Sequence, residues 1–303
     1  MRVAQVRVAQ VRGAREPSAQ KRSAPERAAL EWAAAVVGRA VESIAPFHPS
    51  SRTYGLELAG GGRVVLKLHR GRRKFDQEVR ANGRFARPLG ASPRLVAHAG
   101  DGRFWLLFQD AGHTAPAGSE RDRAAGALLA RLHGLDIADD DPISLIKALG
   151  LRARAAAAGA AGLVEEPTLE AVVECAASPW PAGLAPPHRV ACHRDFAPYN
   201  WLTPRSRDGA RGADPSELAL IDWEHARPDS AATDLDRALG DPGVDADAFL
   251  DGYGRVDEGR AEELRRWAPV AALARIRWAR DHGDLDLEHA GRQRLSSAVR
   301  PRT

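Results

Sequence analysis

Two short stretches in the second half of the chain decide the fold: VACHRDFAPYNWL at 190–202 and LALIDWEHARPDSAATDLDRAL at 218–239. In the first stretch, Asp195 lies two residues after a histidine and five residues before Asn200. In the second, Asp222 directly follows the apolar run LALI, which has the character of a short buried strand. An isolated His-x-Asp is common by chance, but the longer pattern followed by an aspartate at a strand end is rare. Its order is the one that phosphoryl transfer requires.

These three polar residues match the electrostatic needs of phosphoryl transfer. A nucleoside triphosphate such as ATP or GTP brings about four negative charges, so it needs divalent cations held by hard oxygen donors. Asn200 supplies an amide oxygen and Asp222 a carboxylate for that purpose. Asp195 is then available to accept the proton of an acceptor hydroxyl. The pattern indicates the active site of a phosphotransferase rather than polar residues that are merely exposed on the surface.

Outward from these motifs, the two halves of the sequence differ in character. The capping box Ser23-Ala-Pro-Glu26 predicts a helix that runs to Val41, and β-structure with one polar helix follows it. The predicted strands are 51–58, 63–70, 94–98 and 103–109, and the polar helix is 74–85. After Gly112, segments rich in Ala, Leu and Arg predict helices at 121–132, 145–161, 246–254 and 260–279. The polar end at 291–303 is expected to fray.

The motifs HRDFAPYN and IDWE resemble those of the aminoglycoside phosphotransferase and choline kinase-like superfamily, which shares its fold with the protein kinases. The resemblance extends from about Val36 to Trp278. It implies an α+β, bilobal protein kinase-like fold with a small β-rich N-lobe and a larger, mainly helical C-lobe. On this basis we expect a disordered basic tail at 1–24, a nucleotide-binding N-lobe at 25–111, and a catalytic and substrate-binding C-lobe at 112–303.

The resemblance also implies roles for the residues of the two motifs. Asp195 is implied as the catalytic base, and Asn200 and Asp222 as ligands of Mg²⁺. His193 is implied as a structural support of the catalytic loop, and Asp234 as the residue that braces this loop.

The same resemblance implies nucleotide-binding residues in the first half of the chain. Lys67, on RVVLKL, is suited to the α- and β-phosphates, and Glu78, on KFDQEVRA, is suited to holding that lysine. The run FWLLFQDAG lies where the family's hinge binds the nucleotide base, which assigns Phe108 and Asp110 to nucleotide binding. A phosphate loop is expected by position alone, with Ser50 and Ser51 as hydrogen-bond donors.

Some residues depart from the family pattern. The family usually has HGD, whereas Arg194 gives HRD as in protein kinases. A protein kinase is nonetheless disfavoured, because the segment after the strand is DWE rather than DFG and no APE follows it. Glu224, two residues after Asp222, is a candidate for a supporting carboxylate or a direct metal contact.

The acceptor is predicted from charge. From Asp222 to Glu288 the sequence has 17 acidic and 9 basic residues, which favours a cationic acceptor, with Asp229 and Glu224 as candidate contacts. An Ala- and Arg-rich composition with one Met suggests a high-GC genome, where such kinases often modify an aminoglycoside or nucleoside antibiotic. The alternatives are a metabolite kinase of the choline, sugar or homoserine type, a non-catalytic nucleotide-binding module, and, less favoured, a nucleic-acid binder that uses the basic tail.

The remaining composition limits partners and compartment. Residues 1–28 have seven basic and two acidic residues, so the net charge of +4 belongs to a tail and no nucleic-acid partner is expected. No apolar run approaches the roughly 18 residues that span a bilayer, so a membrane protein is excluded at this level. Two cysteines, Cys175 and Cys192, favour a cytoplasmic location over a disulfide scaffold. Oligomeric state is not predicted.

Overall fold

The computed structural model describes residues 23–47, 52–110, 112–138, 141, 143–204 and 217–299. Within these ranges, no helix combines the length and the apolar character needed to cross a membrane. The described residues fall into two compact units. The first contains those up to Ala115 together with those of Asn200–His225, and the second contains those of Pro116–Tyr199 and those from Ala226 onward.

The first unit is built on a five-stranded antiparallel sheet with the strand order β1-β2-β3-β5-β4. Its strands are β1 (Val41–Pro46), β2 (Thr53–Leu58), β3 (Arg63–Leu68), β4 (Leu95–Ala99) and β5 (Trp105–Gln109). Helix α1 (Ala24–Val37) precedes the sheet, and its predicted capping box is confirmed, with Ser23 N–H donating to Glu26 at 2.8 Å. The helix ends before Val41, because Gly38 adopts a left-handed conformation with φ of 68°.

The hairpin between β2 and β3 is confirmed and has a clear local cause. Gly60, Gly61 and Gly62 all have positive φ, at 75°, 90° and 89°, which side chains with a Cβ adopt only with strain. The turn sets the register that places Leu56 and Leu66 in the fully buried core of the sheet. In that same register, Lys67 pairs with Thr53 on β2 and with Leu106 on β5.

The polar helix after β3 is α2 (Arg72–Ala81), followed by a π-helical turn (Asn82–Ala86) and the short α3 (Arg87–Leu89). Few residues of α2 are apolar, yet Phe75 and Glu78 are buried on one face. The helix therefore brings the carboxylate of Glu78 into the interior together with the ring of Phe75.

Three short strands complete the first unit: β6 (His113–Thr114), β8 (Trp201–Thr203) and β9 (Ala219–Leu220). They form an antiparallel sheet in the order β6-β8-β9. The close pairing needs a glycine, because a Cβ on Gly112 would lie 1.9 Å from the carbonyl oxygen of Thr203. This pairing groups the described residues of Asn200–His225 with the β-rich unit.

The second unit is mainly helical, with one two-stranded antiparallel ladder of β7 (Val190–Cys192) and β10 (Arg227–Asp229). Its helices are α4 (Ser119–His133), α5 (Leu145–Ala160), α6 (Glu166–Ala177), α7 (Ala232–Leu239), α8 (Ala246–Tyr253), α9 (Glu258–His282) and α10 (Leu285–Val299). Helix α9 continues through Pro269, and α5, α6, α9 and α10 share one hydrophobic core.

Helix α10 corrects the expectation of a fraying end, although residues 300–303 lie outside the described part. Its sequence is polar, but Leu295 is buried in the shared core and Gly291 lies close to Ile276 of α9. Glu288 also receives Arg280 and Arg292 in ion pairs. Tertiary packing therefore stabilises a helix that its own hydrophobic pattern hardly signals.

Candidate active site

In the first unit, Lys67 of β3 is held between two carboxylates. Its Nζ lies 2.8 Å from Glu78 Oε2 of α2 and 2.6 Å from Asp222 Oδ1, which follows β9. Burial lowers the pKa of Lys67, but the charges of Glu78 and Asp222 outweigh this and raise the pKa overall. Burial likewise opposes the ionised form of Glu78, yet the charge of Lys67 keeps its pKa below the usual value. The lysine is therefore a fixed, fully charged cation at neutral pH.

Asn200 and Asp222 are brought together by the pairing of β8 with β9. Asn200 directly precedes β8 and Asp222 follows β9, so antiparallel pairing places both at one end of the ladder. The N–H of Ile221 donates to the carbonyl oxygen of Asn200 at 3.2 Å, which extends the pairing to that end. Asp222 has a left-handed backbone with φ of 67°, a conformation that aspartate tolerates better than most residues.

His69, Lys74 and Glu224 form further polar contacts in the first unit. Of these three residues, only Glu224 was predicted from the sequence. His69 Nε2 lies 2.7 Å from Glu78 Oε2, and Lys74 Nζ donates to Glu224 Oε1 at 2.5 Å. The hydrogen bond from His225, followed by the charges of the two lysines, keeps the pKa of Glu224 far below its usual range despite burial. Glu224 is therefore a firmly ionised partner of Lys74.

The residues expected to hold Mg²⁺ fit a small divalent cation. Asn200 is buried and offers an amide oxygen, and Asp222 offers a carboxylate that is partly exposed. Asp222 Oδ1 accepts from Lys67, and no hydrogen bond to its other oxygen occurs within the described ranges. Hard oxygen donors of this kind are what Mg²⁺ prefers, with water and phosphate oxygens filling its remaining positions.

In the second unit, Asp234 of α7 organises the loop that follows β7. Its carboxylate accepts the backbone N–H groups of His193 at 2.8 Å and Arg194 at 2.6 Å. His133 of α4 lies 3.4 Å from the same carboxylate. Because Arg194 has a left-handed backbone with φ of 66°, these bonds fix a turn that would otherwise be strained. The imidazole of His193 is completely buried beside Phe196.

Asp195 follows this turn, and its partly exposed carboxylate accepts hydrogen bonds from Tyr199 and Arg237. The hydroxyl of Tyr199 donates to Asp195 Oδ1 at 2.6 Å, and Arg237 Nε of α7 donates to the same oxygen at 3.1 Å. Arg237 Nη2 also donates to the Tyr199 oxygen at 2.6 Å. Burial, then the hydrogen bond to Asp195, raises the pKa of Tyr199 to about 12. The phenol therefore stays a neutral donor that orients the carboxylate.

Phe108, Asp110, Ser50 and Ser51 were also predicted to bind the nucleotide. Phe108 is buried in β5 and packs in a small cluster with Phe75 and Leu106. Asp110 follows β5 and accepts the backbone N–H of Gly112 at 3.4 Å. Ser50 and Ser51 lie outside the described residues.

Asp229 does not suit the predicted contact to an amino group of an acceptor. It is fully buried at the end of β10, and Arg152 donates to both of its oxygens, at 2.7 and 2.9 Å. A carboxylate so engaged cannot also receive an exposed ammonium group. The count of acidic residues did not reveal this pairing.

The chain is also similar to known phosphotransferases. A model of the APH phosphotransferase enzyme family matches residues 43–273. The chain belongs to this family. The predicted superfamily and the predicted phosphotransferase activity are thereby confirmed. No curated protein sequence matches the chain.

Solved structures of other phosphotransferases share the fold. Macrolide 2'-phosphotransferase MphH from Brachybacterium faecium is 20% identical, with 91% of this chain and 99% of that chain covered and a TM-score of 0.58. Choline kinase LicA from Streptococcus pneumoniae is 15% identical, with 91% and 100% covered and a TM-score of 0.63. The GDP and kanamycin complex of APH(2")-IIia is 16% identical, with 86% and 93% covered and a TM-score of 0.61. The predicted protein kinase-like fold, with a β-rich N-lobe and a helical C-lobe, is confirmed.

Four residues that contact predicted site residues within one or the other unit were not predicted from the sequence. They are His69, Lys74, Tyr199 and Arg237. For Tyr199 a signal existed, since it lies inside the motif HRDFAPYN. For Arg237 the signal was weaker, because only its position three residues after Asp234 on one helix places it near the loop. His69 and Lys74 carry no motif of their own.

Proposed function

We propose that this phosphotransferase moves the γ-phosphoryl group of ATP or GTP to a hydroxyl of a small molecule. The observation that carries the proposal is the ion pairing of Lys67 with Glu78 and Asp222 in the first unit. A lysine held in its charged form between two carboxylates suits the phosphates of a nucleotide. The GDP complex of APH(2")-IIia supports a nucleotide as co-substrate.

In the proposed reaction, Lys67 binds phosphate oxygens and Glu78 prevents the lysine from moving away. Asn200 and Asp222 would hold Mg²⁺, which neutralises charge on the phosphates when it is bound. Because Asp222 also contacts Lys67, the arriving phosphates would compete for that lysine. We expect the Lys67–Asp222 contact to loosen on nucleotide binding while the Lys67–Glu78 contact persists.

Asp195 is proposed as the base that accepts the proton of the acceptor hydroxyl. One oxygen, Oδ1, receives hydrogen bonds from Tyr199 and Arg237, and these fix the plane of the carboxylate. Proton acceptance by this carboxylate accompanies attack of the hydroxyl oxygen on phosphorus and departure of the nucleoside diphosphate. His193 and Asp234 act on the backbone of the loop and do not touch the reacting atoms.

The first acceptors to test are antibiotics of the aminoglycoside or nucleoside class. Proteins with a similar fold include a macrolide 2'-phosphotransferase and a phosphotransferase in complex with kanamycin. A metabolite of the choline, sugar or homoserine type is the second, and choline kinase LicA supports it. A non-catalytic nucleotide-binding module is disfavoured, because Lys67, Asp195, Asn200 and Asp222 are all present.

The test is a transfer assay with γ-labelled ATP and, separately, γ-labelled GTP over a panel of these acceptors. Mass spectrometry of the products identifies a phosphorylated acceptor. We expect label on one acceptor hydroxyl with the natural chain and at most trace label with Asp195→Asn. Equal label with both chains would contradict Asp195 as the base. Tight nucleotide binding without transfer to any acceptor would favour the non-catalytic module.

A further inference from the structure

Three arginines of the second unit converge on one buried carboxylate. Arg152 of α5 makes the paired hydrogen bonds to Asp229 described above. Arg194 Nε lies 2.9 Å from Asp229 Oδ2, and Arg227 Nε of β10 lies 3.8 Å from the same oxygen. We call Arg152, Arg194 and Arg227 the arginine cluster.

The arginine cluster carries more positive charge than its surroundings neutralise. Among the residues that the structure describes, the ion pairs of these three guanidinium groups all go to a single carboxylate, Asp229, so the positive charges outnumber the negative charge by two. Asp234 also acts on the charge of Arg194, and Glu263 lines the same cavity as Arg152, but both carboxylates have other partners. Asp234 binds the backbone of the catalytic loop, and Glu263 pairs with Arg260 and accepts from the Ser230 hydroxyl.

Hydrogen-bond donors are also in excess. Each guanidinium has five N–H groups, whereas one carboxylate offers about four acceptor positions. Asp229 Oδ1 already accepts the backbone N–H of Ser230 at 2.8 Å in addition to Arg152. Arg194 Nε is buried and, within the described residues, has no hydrogen bond of good geometry despite its closeness to Asp229.

The electrostatic environment of Arg194 agrees with this surplus. Burial lowers the pKa of its guanidinium, and the charges of Arg227 and Arg152 lower it further, although Asp229 opposes them. A second negative group beside the cluster would relieve the repulsion among these cations.

The cluster is both fixed and reachable. Arg152 lies over the ring of Trp267 with its Cζ 5.4 Å from the centroid, and Asp229 holds it in a bidentate pair. The side chains of Arg152, Arg194 and Arg227 are nevertheless 29%, 24% and 46% exposed. Guanidinium groups that are held in place but remain open to solvent are suited to bind an oxyanion with little loss of side-chain entropy.

We propose that the arginine cluster is a binding subsite for an oxyanion, a phosphate or carboxylate group, carried by the acceptor substrate. Arg194 directly precedes Asp195, so one member of the arginine cluster and the proposed base belong to the same loop after β7. The inference rests on the proposed function, and it narrows the acceptor to a hydroxyl compound with an anionic group. It replaces the cationic acceptor that the acidic composition predicted.

The first test measures binding of inorganic phosphate to the full chain by calorimetry at constant ionic strength. Arg227→Gln and Arg152→Gln should each weaken binding about tenfold, the effect of losing one charged hydrogen bond. Arg123→Gln is the matched control, because Arg123 is an exposed arginine of the same unit that also pairs with an aspartate, Asp251. It should bind phosphate as the natural chain does.

Lys67→Met separates this subsite from the nucleotide-binding residues, since it should leave the affinity of the arginine cluster for phosphate unchanged. Circular dichroism and melting temperature show whether each variant is folded. Unchanged phosphate affinity in folded Arg227→Gln and Arg152→Gln would overturn the proposal. So would a loss of binding caused only by Lys67→Met.

The second test separates this inference from the proposed function. Phosphoryl transfer is assayed to paired acceptors: glycerate against glycerol, glucose 6-phosphate against glucose, and homoserine against its amide. We expect transfer to an anionic member, with a KM that rises about tenfold in Arg227→Gln at unchanged kcat. The inference would be overturned if a neutral or cationic acceptor, from this set or from the antibiotic panel, is phosphorylated and its KM is the same in Arg227→Gln. That result would leave the proposed function intact. Arginine-dependent phosphate binding without transfer to any acceptor would reject the function and leave the subsite.

Discussion

The two units hold their key carboxylates in different ways. In the first unit, Glu78 is buried and pairs with Lys67, which is itself only 17% exposed. In the second unit, Asp195 is partly exposed and its partners Tyr199 and Arg237 also reach solvent. Breaking a buried pair leaves an uncompensated charge, whereas an exposed pair adds little to stability. Substitutions at Lys67 should therefore reduce stability and nucleotide binding together, while those at Asp195 should act on turnover alone.

The largest effect is expected from Asp195→Asn. The amide cannot accept the hydroxyl proton, so kcat should fall by a factor of about 100 or more. The melting temperature and the nucleotide affinity should stay close to those of the natural chain. Asp251→Asn, at another exposed aspartate of the second unit that pairs with arginine, is the control and should retain full activity. If Asp195→Asn has the same kcat as the natural chain, Asp195 is not the catalytic base.

Lys67→Met should be the most damaging substitution for stability. It leaves Glu78 buried without its main cation, which costs about 3 kcal/mol of unfolding free energy. Urea denaturation measures this, and calorimetry should show weaker nucleotide binding. Lys74→Met is the matched control in the same group of charges, because its side chain is 59% exposed and its loss should cost less than about 1 kcal/mol. Equal losses in both variants would refute the contrast between buried and exposed pairs.

Tyr199→Phe should have an intermediate effect on turnover. The substitution removes the hydrogen bond to Asp195 Oδ1 but leaves Arg237 in place. We expect kcat to fall about tenfold, the value of one hydrogen bond to a charged group, with the KM for nucleotide unchanged. A change in nucleotide KM at constant kcat would show that Tyr199 does not act through the base.

The pH dependence of stability gives a smaller effect. Burial raises the pKa of Tyr199 and of Tyr253 to about 12 in the folded chain, compared with about 10 in the unfolded chain. Folding therefore favours the neutral phenols, so their contribution is complete below pH 10 and is lost as the pH rises toward 12. Urea midpoints at pH 9 and pH 11 should differ less in Tyr199→Phe and in Tyr253→Phe than in the natural chain. If the urea midpoints of all three chains change equally between pH 9 and pH 11, the raised pKa values of Tyr199 and Tyr253 are contradicted.

Removal of residues 1–22 should have the smallest effect. The capping box of α1 is made by Ser23 and Glu26, which this truncation keeps. Activity and melting temperature should therefore be unchanged. A cooperative loss of folding in a melting experiment would show that the first 22 residues contribute to the fold.

Local signals allowed much of the fold to be predicted from the sequence. The capping box at Ser23 and the three glycines at 60–62 act within a few residues, and the structure contains the helix and hairpin that they specify. The pairing of β6 with β8 joins His113 to Thr203, and no short pattern marks such a long-range contact. The grouping of the described residues of Asn200–His225 with the first unit therefore has no local signal in the sequence.

The candidate site shows the same limit. Asp195, Asn200 and Asp222 were predicted because their spacing in the chain carries the chemistry. The burial of Asp229 was not, since it depends on Arg152, which lies 77 residues away. Acidic composition alone suggested a cationic acceptor, whereas the paired geometry of this aspartate favours an anionic one.

The contrast between the two units is tested most directly by calorimetric titration of nucleotide, with and without Mg²⁺, into Asp222→Asn and Asp195→Asn. The account predicts that Asp222→Asn loses the Mg²⁺-dependent part of nucleotide affinity and that Asp195→Asn keeps it within about twofold. Full Mg²⁺-dependent binding by Asp222→Asn, or its loss in Asp195→Asn, would contradict the division of nucleotide binding and proton acceptance between these residues.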